Sequence, residues 1–156
     1  MKILAVIVAA VCLAGQAAGT PIAGTWRAEF EGRTFVTLEL KSANGTVTGL
    51  ISLGDVEVDK QGALARVSEP KRKPTPIFDV SQTGSTLRFA VKDGNDTDQF
   101  ELRVLDAGRA ELRMLLADQV VKELAAEGVP VPKPFALTRQ IKDLSLIHIS
   151  EPTRRS

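Results

Sequence analysis

The sequence predicts one antiparallel β-barrel of eight to ten strands with a single helix near its C-terminal end, a β-sandwich being the alternative. Three observations carry this. Apolar and polar residues alternate from Gly24 onward, the period-2 signature of strands with one face buried. Turn-forming pairs, Asn44-Gly45 foremost, punctuate that alternation at short intervals. One stretch, Asp118 to Glu127, abandons it for helix-forming residues.

Trp26, Ala28 and Phe30 share one face of the first strand, and Arg27 and Glu29 take the other. Val36, Leu38 and Leu40 repeat the pattern. Asn44-Gly45 then supplies a two-residue hairpin turn into Val47, Gly49, Ile51 and Leu53. Shorter runs follow at Val56–Val58, Ala63–Val67 and Phe78–Val80. A further hairpin sets Leu87, Phe89 and Val91 against Phe100, Leu102 and Val104 across Asp93-Gly94-Asn95. Asp106-Ala107-Gly108 turns the chain into Ala110, Leu112, Met114 and Leu116. The helix is expected to have Asp118 as its cap and Gly128 as its terminator, with Val120, Val121 and Leu124 packed on the sheet. Pro130, Pro132 and Pro134 hold the chain extended before a last strand, Phe135 to Arg139. In a barrel that strand pairs with the first and removes the exposed edges. The expected inward set is Trp26, Phe30, Leu38, Leu40, Ile51, Leu53, Phe78, Leu87, Phe89, Phe100, Leu102, Leu112, Met114, Phe135 and Leu137. So many large side chains should fill the interior and leave no enclosed ligand cavity.

The two ends are read as separate from the fold. Residues 1–19 have the layout of a secretory signal peptide: Lys2, an apolar run from Ile3 to Leu13, then small residues ending in Ala17-Ala18-Gly19. The run is too short for a membrane span, so the mature form is expected to be secreted or periplasmic, with no membrane span. Leu144 to Arg154 (Leu-Ser-Leu-Ile-His-Ile-Ser-Glu-Pro-Thr-Arg) reads as a translated sequencing adapter, which assigns 144–156 to a non-native tail. The domain is then 20–143.

Composition narrows the chemistry. The chain has one Cys, one His and no Tyr. Cys12 and His148 both fall in the terminal segments, so the domain has neither residue. That excludes His-based triads, thiol nucleophiles and the common zinc sites, and leaves carboxylates, lysines and hydroxyls. Charge is balanced, with 20 Lys and Arg against 19 Asp and Glu, so nothing favours nucleic acid. No cofactor is indicated, and the expectation is a protein that is not an enzyme.

Several motifs have a plainer reading. Asp55, Glu57 and Asp59 could face a calcium ion, but they fit the solvated face of a strand better. Asp93-Gly94-Asn95-Asp96-Thr97-Asp98 opens like a calcium loop, yet Asp98 stands where glycine is needed and Val104 where the bidentate glutamate belongs. It reads as a polar hairpin tip. Lys71-Arg72-Lys73 is the one basic run, and Pro70, Pro74 and Pro76 mark it as an extended loop. Asn44-Gly45-Thr46 and Asn95-Asp96-Thr97 match a glycosylation sequon and coincide with turns.

Gly24-Thr25-Trp26 on the first strand resembles the opening motif of lipocalin-like (calycin) barrels. The order of elements is similar too: a strand meander, a helix, a final strand and then a basic residue, Arg139. The resemblance implies that Arg139 covers Trp26 at the barrel's end, which makes these two residues the candidates for structural closure. The middle motif of that family has no counterpart here. The chain is also similar to uncharacterised small secreted β domains of bacteria. Three functions stay open at this point. The leading one is a non-catalytic envelope interaction or accessory module with an unknown protein partner. The alternatives are a carrier of a small apolar ligand in the barrel, by fold analogy alone, and a carboxylate-based hydrolase.

Overall fold

The computed structural model describes residues 21–141, so the signal peptide read at 1–19 and the tail read at 144–156 lie outside the described residues. Ten strands and one helix follow the chain: β1 (Gly24–Phe30), β2 (Arg33–Ala43), β3 (Thr46–Leu53), β4 (Val56–Val58), β5 (Leu64–Val67), β6 (Thr75–Thr83), β7 (Thr86–Asp93), β8 (Asp96–Val104), β9 (Arg109–Leu115), α1 (Asp118–Ala126) and β10 (Phe135–Arg139). Eight of the strands close an antiparallel barrel in the order β1-β10-β9-β8-β7-β6-β3-β2, and β4 and β5 form a separate hairpin. The expected barrel is the fold.

Local turn chemistry sets the meander. Asn44 and Gly45 both take positive φ, 53° and 77°, as a type I′ turn requires, and Ala43 faces Thr46 across it. Register then carries the alternation from strand to strand. Trp26 pairs with Leu38, Leu38 with Ile51, Leu87 with Leu102 and Leu102 with Leu112, so inward residues stack in layers around the barrel. Trp26, Leu38, Leu87, Phe89, Leu102, Leu112 and Leu137 are wholly buried in one continuous core. Closure is made by β10 against β1, with Trp26 opposite Arg139 and Arg27 opposite Thr138.

The structure departs from the sequence reading at several positions. Phe35 is buried although the alternation gave it to solvent. A bulge lies between Ala28 and Glu29, where Ala28 faces Val36 but Glu29 faces Thr34. Phe35 is the extra residue and joins Val36 in the core. Its ring meets Phe135 edge-on, with centroids 5.3 Å apart. Phe78, by contrast, points outward. Ile77 faces Val91 and takes the inward position, and a second bulge between Phe78 and Ser81 carries Asp79 at φ 51°. Phe78 lies half exposed, with Lys92 Nζ 5.8 Å from its ring centre. Met114 does share the inward face, opposite Phe100, but it sits near the barrel's mouth and is 40% exposed. β9 stops at Leu115, before Leu116.

The helix also differs from expectation. Its cap position is Ala117, with no side-chain hydrogen bond, and Asp118 lies inside the first turn, where a carboxylate suits the positive end of the helix dipole. Gly128 does terminate it: the Val129 N–H reaches the Leu124 carbonyl at 2.8 Å and the Gly128 N–H reaches Ala125 at 3.1 Å, the Schellman pattern. No residue of α1 is buried, and Val120 and Val121 are exposed. The reason is the closed sheet. Its apolar face is turned inward and already full, which leaves an apolar helix stripe nothing to bury against.

Candidate functional site

The two barrel ends are built differently. At one end Pro21 to Ala23 cross below β1, and the pair Trp26 and Arg139 locks them in place. The Trp26 indole Nε1–H donates to the Ile22 carbonyl at 2.9 Å, and Ile22 itself is buried. The Arg139 guanidinium lies 4.3 Å from the Trp26 ring centre, in cation–π range. It donates from Nε to the Ala107 carbonyl at 2.7 Å, from Nη1 to Ala23 and from Nη2 to Pro21. The fork therefore ties the β9 turn to the segment preceding β1, a planar geometry that only arginine offers. Gly24 completes this end: its φ is 135°, and a Cβ there would collide with the Arg139 guanidinium. Glycine two residues before tryptophan is thus a demand of the clamp. The two candidates named for closure stand in contact.

The opposite end is only half covered. β3 finishes there at Leu53, and the β4–β5 hairpin folds over it. Val67 is buried and Val56 and Leu64 pack on the core, while the Gly54 N–H holds the Phe35 carbonyl at 2.7 Å. Over the remaining half lies an open cleft of about 500 Å³. Its floor comes from inward positions at strand ends: Ile51 and Leu53 on β3, Thr75 on β6, Val91 on β7, Asp98 on β8 and Met114 on β9. Its rim comes from the 69–73 loop and from Asp55, Lys92 and Asp93. Two exposed ion pairs pin that loop, Lys71 to Asp55 at 3.1 Å and Arg72 to Asp93 at 2.7 Å.

The barrel wall is thinly paired beside this cleft. β3 and β6 pair only through Leu50 with Pro76 and Ile51 with Thr75, and Pro76 has no N–H to extend the ladder.

Asp98 is the residue the sequence reading misplaced. In the sequence it belongs to a polar hairpin tip, but β8 begins at Asp96, and Asp98 faces Val91 on the inward side, two positions before the buried Phe100. Burial raises its carboxyl above the usual aspartate range, and Asp93 and Asp96 raise it further. The signal that could have found it is the alternation itself, since Asp98, Phe100 and Leu102 are successive inward positions.

The other motifs resolve into structure. Asp59 Oδ1 accepts the Gln61 and Ala63 N–H groups and so shapes the β4–β5 turn. The Lys71 ammonium holds the Asp55 carboxyl below its ordinary range. Among the described residues no three His, Cys, Asp or Glu side chains converge as a metal ion requires. On the outer wall Glu101, almost fully buried, sits between Arg88 at 2.9 Å and Arg113 at 2.8 Å. Burial pushes its carboxyl up, but the two arginines outweigh that and hold it below the usual glutamate range. Among the described residues no helix is long and apolar enough to cross a membrane. Comparison of the chain with protein-family models, curated proteins and solved structures gives no match.

Proposed function

We propose that this protein is a non-catalytic recognition module of the secreted or periplasmic space, with the barrel as scaffold and the half-covered mouth as the binding surface. The observation that carries this is the contrast between the two volumes. The interior is filled by side chains such as Trp26, Phe35, Phe89 and Phe100, each less than 2% exposed, while the mouth keeps about 500 Å³ open. That volume lies within the range of small-molecule sites. The domain's lack of histidine and cysteine supports a binding role over a catalytic one, and the layout of residues 1–19 supports export. Kinship with lipocalin-like barrels is part of the proposal, supported by Gly24, Trp26 and Arg139 meeting at the closed end.

The experiment is a titration with a fluorescent fatty acid and with a naphthalene sulfonate at neutral pH. The expected result is no saturable one-to-one binding at low micromolar concentration. Tight binding displaced by a natural lipid would overturn the filled interior and make the protein a carrier of an apolar ligand.

A further inference from the structure

We propose that the mouth cleft binds small organic ammonium ions, with the apolar body of the ligand on Ile51, Val91 and Met114 and its cation on the Asp98 carboxylate. The proposal rests on the mouth being the binding surface and adds the class of ligand.

The argument begins with what the fold does to these side chains. Register forces Asp98 to the inward face, because Phe89–Phe100 and Val91–Asp98 are successive non-polar-facing pairs of one hairpin. Met114 is carried to the same side by its pairing with Phe100, and Ile51 by its pairing with Thr75. A carboxylate is thereby set among apolar side chains at the bottom of an open cleft. Met114 is 40% exposed there, a large flexible side chain with contact area to spare.

The charges around the cleft are then assigned in turn. Lys71 is engaged by Asp55 and Arg72 by Asp93, Lys92 stands over the outward Phe78 ring, and Lys73, on the rim, is not among the groups that act on the Asp98 carboxyl. None of these cations compensates Asp98. The influences acting on its carboxyl are burial and the neighbouring Asp93 and Asp96, all of one sign. A partly buried carboxylate that no cation of the fold pairs gains most from a cation that brings its own hydrogen-bond donors. A bare inorganic cation would leave the floor's apolar surface wet, whereas an alkyl or aryl ammonium covers it and pairs the charge together. An anion would meet the Asp98 carboxylate on the cleft floor.

The test uses three probes of one shape: tryptamine, which carries the cation, 3-methylindole, which is neutral, and indole-3-acetate, which carries an anion. Each is titrated into the full chain at pH 7 and followed by amide and methyl chemical shifts. Tryptamine is expected to bind in the range of about 0.1–1 mM, moving Ile51, Val91 and Met114, and at least about tenfold tighter than either other probe. Asp98→Asn, a surface-accessible isosteric change, should remove that preference and leave the folded spectrum intact. Equal binding of tryptamine and 3-methylindole at the mouth would overturn the ammonium assignment and leave the mouth as the binding surface. Preference for indole-3-acetate, or an unchanged preference in Asp98→Asn, would do the same. Shifts confined to another face, or no binding by any probe, would overturn both.

Discussion

Replacing Arg139 by lysine keeps the charge and removes the fork, and its cost follows from the closed end of the barrel. The guanidinium donates to three backbone carbonyls, those of Pro21, Ala23 and Ala107, and lies 4.3 Å from the Trp26 ring centre. A single ammonium cannot reach carbonyls on opposite sides of the ring, so two of the three bonds are lost. The site is partly open, and water can replace part of each bond, so we take about 1 kcal/mol per bond. Weaker stacking adds roughly 0.5 kcal/mol. The sum is about 2–3 kcal/mol, or roughly 10 °C in Tm for a domain of about 120 residues. Thermal unfolding by circular dichroism measures the loss. A double-mutant cycle with Trp26→Phe isolates the ring contact and should give a coupling of about 0.5–2 kcal/mol. A Tm within about 2 °C of the parent, or strict additivity in the cycle, would refute the clamp as a contributor to stability.

Three other outcomes follow from the same geometry. Gly24→Ala should destabilise by about 1–3 kcal/mol in urea unfolding, since the new methyl meets Arg139 and φ is 135°. A neutral result there would mean Arg139 swings away at little cost. Glu101→Gln should cost about 1–2 kcal/mol at pH 7, less than a fully buried pair because Arg88 and Arg113 are about half exposed. The Glu101 carboxyl is lowered in the fold, so its contribution is complete above the ordinary glutamate range and disappears as pH falls through the folded value. The variant and parent should converge as pH falls below the ordinary glutamate range. Asp98→Asn has the opposite sign. Its carboxyl is raised in the fold, so ionising it costs stability as pH climbs above the ordinary aspartate range. The variant should therefore be slightly more stable at pH 7, by no more than about 0.5 kcal/mol, and equal to the parent at pH 3. A less stable Asp98→Asn protein at pH 7 would mean the carboxylate has a donor in the fold.

The barrel was legible because alternation and turn chemistry are local properties, and register merely propagates them. Trp26 and Arg139 could be paired in advance because the resemblance to lipocalin-like barrels implies a basic residue of the last strand over the tryptophan of the first. Phe35 was not legible, since a bulge is decided by the partner strand and leaves no local mark. The short run Phe78–Val80 reads with Phe78 inward, but Ile77 has the register. The helix stripe Val120, Val121 and Leu124 looks like a packing face in sequence, and only a closed sheet leaves it without a surface to cover. The mouth lay beyond reach for a different reason. Its floor draws one or two residues from each of five strands, and none of them is distinctive alone. Asp98 even carried a misleading context, a run of turn-forming residues that hid its inward position.

The β1–β10 pairing has a consequence for the making of the protein. Trp26 and Arg139 are joined across almost all of the described residues, and Arg139 reaches back to Pro21 over 118 residues. Hairpins such as β1–β2 and β7–β8 can form as soon as they emerge from the ribosome. The ring cannot close until Phe135 to Arg139 has been synthesised. Synthesis at about 5–20 residues per second leaves β1 waiting several seconds with a bare edge. During that interval the nascent chain is a curled ribbon with two sticky borders, open to pairing with a neighbour. A chain released short of Phe135 never leaves that state. Quality control by truncation sensitivity is therefore built into the order of the strands.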